Sequence, residues 1–154
     1  MKTTFNNIES LQKMQGKLLG KSDWLLISQD RINDFGQATQ DMQWIHVDAE
    51  KAQAESPFGT TIAHGFLSLS LIPHLMQSVF EVKDIKMGIN YGLNRVRFIN
   101  IVPANSEICL EISLTKLEQT KEKTFKAFWH CVILIKGEEK PACIAEMISL
   151  FVTL

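Results

Sequence analysis

The feature that most constrains the fold is an apolar run between residues 66 and 80. Its members cover nearly the whole circumference of a helix: Phe66, Leu67, Leu69, Leu71, Ile72, Leu75, Met76, Val79 and Phe80. Because a helix that is apolar on most sides must be buried, the run predicts a central helix over residues 63–80 that other elements cover. Pro73 lies well inside it, so we expect a kink there.

The second half of the chain supplies that cover, because its hydrophobic period changes from helical to two. In NSEICLEISLT the apolar residues alternate with polar ones: Ile108, Leu110, Ile112 and Leu114. This alternation is typical of a strand with one buried face. KAFWHCVILI, residues 126–135, is apolar on both faces and predicts a central strand. With hairpin turns at EQTKEK and GEE and a last strand ACIAEMISLFV, residues 86–153 are predicted to be mainly strands.

Shorter elements are predicted before the central helix. Six apolar residues recur at roughly helical spacing and predict an N-terminal helix over residues 1–20: Phe5, Ile8, Leu11, Met14, Leu18 and Leu19. WLLIS, residues 24–28, predicts a short strand whose last residue caps a helix over 29–39. The inner face of that helix is expected to be Ile32, Phe35 and Ala38. Another short helix is predicted over 48–55.

Together these patterns predict a single α+β domain over residues 1–154, in which an antiparallel sheet wraps a buried helix. An apolar content of 45% and a charged content of 21% are typical of one globular domain. The net charge of -1 argues against a nucleic-acid partner, because phosphate binding requires a basic surface. No segment reaches the ~20 apolar residues of a membrane helix. No membrane partner is therefore expected.

The cysteines and the remaining histidines are predicted to be packing residues. Cys109, Cys131 and Cys143 are widely spaced, odd in number and without a CxxC motif, which is typical of reduced thiols that pack in strands. Together with an N-terminus that lacks an apolar signal core, they favour a cytoplasmic location. His74 and His130 fall within helix and strand patterns and are expected to pack as well.

The stretch QDMQWIHVD, residues 40–48, carries the first candidate for chemistry. A loop can turn Asp41 and His46 into one space, and Trp44 and Ile45 would lower the local dielectric there. Such surroundings raise the pKa of a carboxylate and lower that of an imidazole, which favours general acid–base catalysis near neutral pH. The alternative is that Asp41 caps a turn and His46 is a half-buried surface histidine.

The second candidate is the pair His64 and Gly65 at the start of the central helix. The first N–H groups of a helix lack intrahelical partners, and glycine lets a ligand oxygen approach them. The alternative is tight packing at Gly65 with His64 bonded to the backbone. A metal site using Asp41, His46, Asp48 and His64 lacks the spacing of known metal motifs. GxSxG, Walker A and GxGxxG motifs are also missing, which removes the usual support for a serine hydrolase, a P-loop protein or a dinucleotide-binding protein. Neither a metal nor a cofactor is predicted.

The order and spacing of these motifs resemble the MaoC-like dehydratases, or R-specific enoyl-CoA hydratases. Six residues match the motif of that family: Phe35, Thr39, Asp41, Ile45, His46 and Ala52. Three residues depart from it, because Gln40, Gln43 and Trp44 stand where the family usually has Gly, Asn and Pro. The run from QWIHVD through AHGFLSLSLIPHL to NYGLNRVRF is most similar to the nodulation-protein-N-like branch. The resemblance extends from about residue 24 to the last strand.

The resemblance implies a hot-dog fold and a homodimer with an acyl-CoA tunnel near the subunit interface. Asp41 and His46 become the hydratase pair, and the Gly65 N–H binds the thioester oxygen. Substrate contacts are expected from Trp44, His64, Phe66, Arg95 and Arg97, the two arginines facing the CoA phosphates. For those arginines the alternative is a solvated strand face or a dimer salt bridge.

The implied reaction is reversible hydration of a trans-2-enoyl thioester, carried on CoA or acyl-carrier protein, to the (R)-3-hydroxyacyl thioester. The family's serine partner of the aspartate falls on Pro73, and Ser68 and Ser70 are the nearby hydroxyl groups. Two alternatives remain open, an acyl-CoA thioesterase and a non-catalytic acyl-binding dimer.

Overall fold

The chain has a helix-rich first half and four long strands in its second half. The computed structural model describes residues 2–154. In chain order its elements are β1 (Thr3–Phe5), α1 (Ile8–Gln12), β2 (Lys17–Lys21), β3 (Leu25–Ile27), α2 (Gln29–Thr39), α3 (Trp44–Val47), α4 (Ala49–Glu55), α5 (Gly65–Ser70), α6 (Ile72–Val79), β4 (Phe80–Val82), β5 (Ile85–Phe98), β6 (Ser106–Lys121), β7 (Thr124–Ile135) and β8 (Cys143–Thr153).

The main sheet is antiparallel and has the strand order β2-β6-β7-β8-β5, with β3 also paired to β6. β7 lies between β6 and β8, so its prediction as a central strand is confirmed. β5 follows α6 and the short strand β4 along the chain but crosses to the far edge, where it pairs with β8. A separate small sheet joins β1 to β4 in parallel.

The helices α5 and α6 lie against the inner face of this sheet, which is the hot-dog arrangement implied by the resemblance. The alternating row of β6 is fully buried, with Ile108, Leu110, Ile112 and Leu114 all 0% exposed. Ile72, Leu75 and Val79 of α6 are buried in the same core. Each such side chain stabilises the fold by roughly 1.5–3 kcal/mol relative to exposure, so this face fixes the register of the sheet.

The central helix is shorter than the predicted range 63–80 and is divided in two. It begins at Gly65, ends at Val79 and breaks at Leu71. Pro73 lies in the first turn of α6, where its missing N–H would have no helical partner in any case. The predicted interruption at this proline is therefore confirmed, and it takes the form of a new helix start.

The predicted N-terminal helix over residues 1–20 is wrong. Within residues 2–20 the only helix is α1, between strands β1 and β2, and its inner face is Ile8 and Leu11. The side chain of Asn7 caps α1, and Gly16 adopts a φ of 78° that no continuing helix permits. The apolar residues beyond that glycine pair with β6 as the strand β2.

The other short elements follow the predictions closely. α2 spans the predicted 29–39 and α4 most of 48–55, but residues 44–47, expected in a loop, form the short helix α3. The predicted inner face of α2 is partly wrong, because Ala38 is exposed and Gly36 is buried.

The three cysteines are buried free thiols, as predicted. Burial raises the pKa of Cys131 to about 12 and that of Cys143 to about 11, so both thiols stay protonated and act as packing residues. The prediction for His74 and His130 is wrong, because both side chains are exposed.

The strand β5 forms an edge of the main sheet with exposed apolar side chains. Met87, Ile89, Tyr91 and Leu93 are each at least 42% exposed. A long apolar edge strand is a ready surface for pairing with another chain. None of the helices in residues 2–154 has the length and apolar character needed to cross a bilayer.

Candidate active site

The loop after α2 brings Asp41 back against that helix. Gln40, at the end of α2, adopts a left-handed φ of 61°. A Cβ on Gly36 would lie only 3.1 Å from the main-chain oxygen of Asp41 and from Sδ of Met42. Gly36 therefore allows this close approach. A glycine inside a helix costs about 1 kcal/mol relative to alanine, and this unfavourable choice is the sequence signal that could have revealed it.

Two departures from the family motif have local explanations. Gln40 occupies a left-handed conformation that glycine adopts without strain, and glycine is the usual residue of the family there. Trp44 is the first residue of α3, a position that proline commonly occupies in helices. Both substitutions keep the turn that presents Asp41 and His46.

His46 is buried in α3 and is held through its ring. Its Nδ1 lies 2.6 Å from the main-chain oxygen of Ile62. Because a carbonyl oxygen only accepts, Nδ1 carries the proton and the Nε2 lone pair is free. Burial lowers the pKa of His46; the bond to Ile62 opposes this shift, His64 adds to it and Asp41 opposes it. The predicted lowering of the histidine pKa is confirmed.

A polar network that sequence reasoning missed braces the backbone of His46. The Gln29 amide Nε2 donates to the His46 carbonyl at 2.7 Å and to Oδ1 of Asn33 at 2.9 Å. The hydroxyl of Thr61, a residue only 2% exposed, donates to Oε1 of Gln29. A glutamine in the first turn of a helix normally faces solvent, so nothing in the sequence singled it out.

His64 completes the cluster from the other side. Its ring stacks on that of His46, with centroids 3.8 Å apart and an angle of 25° between the planes. Its Nε2 donates to the main-chain oxygen of Asp41 at 2.9 Å and lies 4.0 Å from Oδ2 of the same residue. His64 is 3% exposed, whereas the Asp41 carboxylate is 54% exposed.

The structure brings Asp41 and His46 into one space, as their spacing in the loop predicted. One ligand atom each from Asp41, His46 and His64 lies within 4.8 Å of the other two. Two atoms that share hydrogen bonds with one water are at most ~5.6 Å apart, so this separation is compatible with one water between a carboxylate oxygen of Asp41 and a ring nitrogen of His46. Of the two ring nitrogens of His64, Nε2 donates its proton to the main chain of Asp41 and so has no lone pair to offer a metal ion.

A cavity of about 180 Å³ joins the His46 ring to the first turn of α5. Gly65 and Ser68 line it on the helix side, and Phe98 and Asn100 on the sheet side. Gly65 is needed for this contact, because a Cβ there would lie 3.0 Å from the ring carbons of Phe98. The cavity therefore presents His46 and the Gly65 backbone to the same small volume.

The other predicted site residues lie outside the lining of this cavity. Phe66 is 68% exposed and packs edge-on against Phe98 with ring centroids 5.9 Å apart. Trp44 is half-buried in α3. Arg95 and Arg97 are exposed on β5, two residues apart, in the half of the strand that leads to Phe98. Their contacts with a substrate stay predictions.

Two apolar grooves of about 290 and 270 Å³ run between the central helices and β5. Pro73, Asn90 and Met147 line both of them. Pro73 thus gives this surface a ring where the family motif has a hydroxyl group, while Ser70 lines one groove and Ser68 the cavity.

Comparisons with known proteins agree with this fold. The model of the MaoC like domain matches residues 10–128. 3-Hydroxyacyl-thioester dehydratase Z of Mycobacterium tuberculosis strain H37Rv is 45% identical over 149 residues, covering 97% of this chain and 98% of that protein. Nodulation protein N of Rhizobium leguminosarum bv. viciae is 38% identical over 136 residues, 88% of this chain and 84% of that protein.

A solved structure shares the fold. The R-hydratase PhaJ1 of Pseudomonas aeruginosa, in its unliganded form, superimposes with a TM-score of 0.69 and 21% identity, covering 88% of this chain and 82% of the other. The resemblance in the sequence and its nodulation-protein-N-like branch are confirmed by these matches. The chain belongs to the MaoC-like domain family.

Proposed function

We propose that this protein catalyses the reversible hydration of a trans-2-enoyl thioester to the (R)-3-hydroxyacyl thioester. The observation that carries the proposal is the convergence of Asp41 and His46 within reach of one water, beside a cavity that also exposes the Gly65 backbone. The 45% identity to a 3-hydroxyacyl-thioester dehydratase over 97% of the chain supports it. The enzyme class is a hydro-lyase.

The reaction places negative charge on the thioester oxygen when the water oxygen attacks C3. The Gly65 N–H, the first of α5, is proposed to bind that oxygen from inside the cavity. A preorganised donor of this kind typically contributes ~2.7–4 kcal/mol to the stability of the transition state. The resulting enolate then accepts a proton at C2, so that one water is added across the double bond.

Asp41 and His46 are proposed to hold the water and to move its protons. The free Nε2 lone pair of His46 and its lowered pKa support a neutral imidazole that takes a proton from the attacking water and passes it to C2 of the enolate, so that His46 ends the hydration neutral. Dehydration reverses both transfers. The exposed carboxylate of Asp41 lies within 4.8 Å of this ring and accepts the second hydrogen bond of the water. Each positioned group is expected to contribute ~10²–10⁴-fold to the rate.

The groove lined by Pro73 and Met147 is proposed to take the acyl chain, because it is apolar and runs along the helix that carries Gly65. Arg95 and Arg97 are proposed to meet the phosphates of CoA, with Trp44 and Phe66 as further substrate contacts. An acyl-carrier protein is the alternative carrier, and its phosphopantetheine arm would reach the same cavity.

We also infer that the active form is a homodimer. The exposed apolar edge of β5 supports this, since it borders the grooves through Asn90 and Leu93 and would otherwise remain in water. A second copy on this edge would cover part of the acyl groove. The three reduced, buried thiols support the proposed cytoplasmic location.

Hydration of crotonyl-CoA tests the proposed function. We expect loss of the enoyl absorbance without release of free thiol, and a rate lower by ~10²-fold or more in Asp41→Asn and in His46→Ala. Asp34→Asn and His74→Ala change exposed residues of the same types and serve as controls that keep the wild-type rate. Thiol release would instead indicate a thioesterase, and binding of crotonyl-CoA without turnover would indicate a non-catalytic acyl-binding protein.

A further inference from the structure

We propose that His64 is a positioning residue that fixes the separation of Asp41 and His46 through two contacts on different parts of its ring. This inference rests on the proposed function, in which that separation determines how the water is held. Its nitrogen Nε2 holds the Asp41 main chain, and its ring face holds the imidazole of His46. His64 is thereby assigned to the geometry of the pair and not to substrate binding.

The hydrogen bond to Asp41 is the first contact. The carboxylate of Asp41 is 54% exposed, so packing restrains it little. The bond from His64 Nε2 to the Asp41 main-chain oxygen, 2.9 Å long, anchors the residue at its backbone. The same nitrogen lies 4.0 Å from Oδ2, so the carboxylate lies on the side of the two imidazoles.

The stacked rings are the second contact. The bond from His46 Nδ1 to the oxygen of Ile62 fixes that ring within its own plane but leaves it free to tilt. The His64 ring, 3.8 Å away and nearly parallel, blocks the tilt. Phe35 packs against His64 with ring centroids 5.0 Å apart and supports it in turn. The free Nε2 of His46 is therefore directed in space by His64 as well as by Ile62.

The remaining nitrogen of His64 argues against a purely structural role. Among residues 2–154, no atom forms a hydrogen bond with its buried Nδ1. An unpaired buried acceptor costs ~1–3 kcal/mol, so a phenylalanine would fill this space at a lower cost. A histidine is therefore unfavourable here for packing, and the contact that phenylalanine cannot make is the hydrogen bond to Asp41.

Three substitutions separate the two contacts. His64→Phe keeps a stacked ring and removes the donor to Asp41, His64→Gln keeps an N–H donor and removes the ring, and His64→Ala removes both. We expect kcat for crotonyl-CoA to fall by ~10²-fold in the alanine variant, the cost of a 1 Å misplacement, with KM within about twofold of wild type. The Phe and Gln variants, each losing one contact, should lose roughly tenfold. The same substitutions at the exposed His74 are the matched controls.

Amide hydrogen exchange of residues 41–46 supplies a readout that does not require turnover. We expect faster exchange in His64→Phe and His64→Ala than in wild type, and no change in the His74 variants. If wild type does not hydrate crotonyl-CoA but the exchange still increases, the proposed function fails while the positioning role stands. If His64→Phe keeps both the wild-type kcat and the wild-type exchange, the positioning role is overturned. A raised KM with unchanged kcat would also overturn it, because His64 would then be a substrate contact.

Discussion

Replacement of Gln29 by glutamate tests whether the brace behind His46, the hydrogen-bond network of Gln29, Asn33 and Thr61, sets the geometry of the site. The two side chains have nearly the same shape, but glutamate has no N–H donor. In Gln29→Glu the hydrogen bonds to the His46 carbonyl and to Asn33, 2.7 and 2.9 Å long, would be lost. A carboxylate oxygen would then face two acceptor oxygens, while the hydroxyl of Thr61 would still have its acceptor.

The expected loss of stability follows from these two bonds. Each acceptor left without its donor costs about 1 kcal/mol or more, so the free energy of unfolding should fall by about 2 kcal/mol. For a chain of this length each kcal/mol lowers Tm by ~2–4 °C, which gives a decrease of about 4–8 °C. Burial raises the pKa of such a carboxyl group above about 4.3 and protonation restores one donor, so the deficit should shrink as pH falls toward that value.

Thermal unfolding and crotonyl-CoA hydration measure the two effects of Gln29→Glu together. A shift of His46 by 1 Å is expected to lower kcat by ~10²-fold. Gln37→Glu introduces the same charge on the exposed face of α2 and is the matched control. If both variants keep the same Tm and the same kcat as wild type, Gln29 does not position His46 and the reasoning is refuted.

Three further predictions concern the cavity, the histidine and the dimer. Gly65→Ala places a Cβ 3.0 Å from the Phe98 ring, so kcat for crotonyl-CoA should fall sharply. In the double variant Gly65→Ala/Phe98→Ala, kcat should recover in part. If it does not recover, the Phe98 ring is not what the Cβ obstructs. Because burial lowers the pKa of His46, its contribution to stability is present above about pH 6.5 and is lost as pH falls toward its folded-state pKa. Calorimetry at about pH 7 and about pH 5 should therefore show a larger loss of Tm in wild type than in His46→Asn, and equal losses would contradict this. Leu93→Lys puts a charge on the exposed edge of β5 and should yield monomers in analytical ultracentrifugation, whereas an unchanged dimer would place the interface elsewhere.

The parts of the fold that were predicted correctly are those in which local periodicity and burial agree. The alternation of Ile108 through Leu114 predicted an inner strand face, and these side chains are fully buried. The apolar run around Pro73 predicted the central helix and its break. The N-terminal helix failed because the apolar residues after Gly16 pair with β6, about 95 residues further along the chain, and helical spacing does not report such pairing.

The candidate site likewise contains some contacts that could be predicted from the sequence and others that could not. Asp41 and His46 were singled out because they lie five residues apart in the chain, so a possible acid–base pair was visible locally. The brace was missed because Gln29 is 17 residues from His46 and 32 from Thr61, and polar residues at these separations carry no signal until the chain folds. The stacking of His64 on His46 was missed as well, because the sequence placed the two histidines in separate motifs.

During synthesis on the ribosome, β5 cannot join the main sheet until β8 has been made. Within residues 2–154 this strand pairs with β8 and with no other strand, and β8 follows it along the chain only after β6 and β7. The N–H of Ile99 likewise donates to the carbonyl of Ala142, which is synthesised later. Until β8 emerges, the sheet-side wall of the cavity beside His46 has no support and β5 has no strand to pair with. We therefore expect that deletion of β8 would disrupt the candidate site, although Asp41, His46 and Gly65 all lie in the first half of the chain.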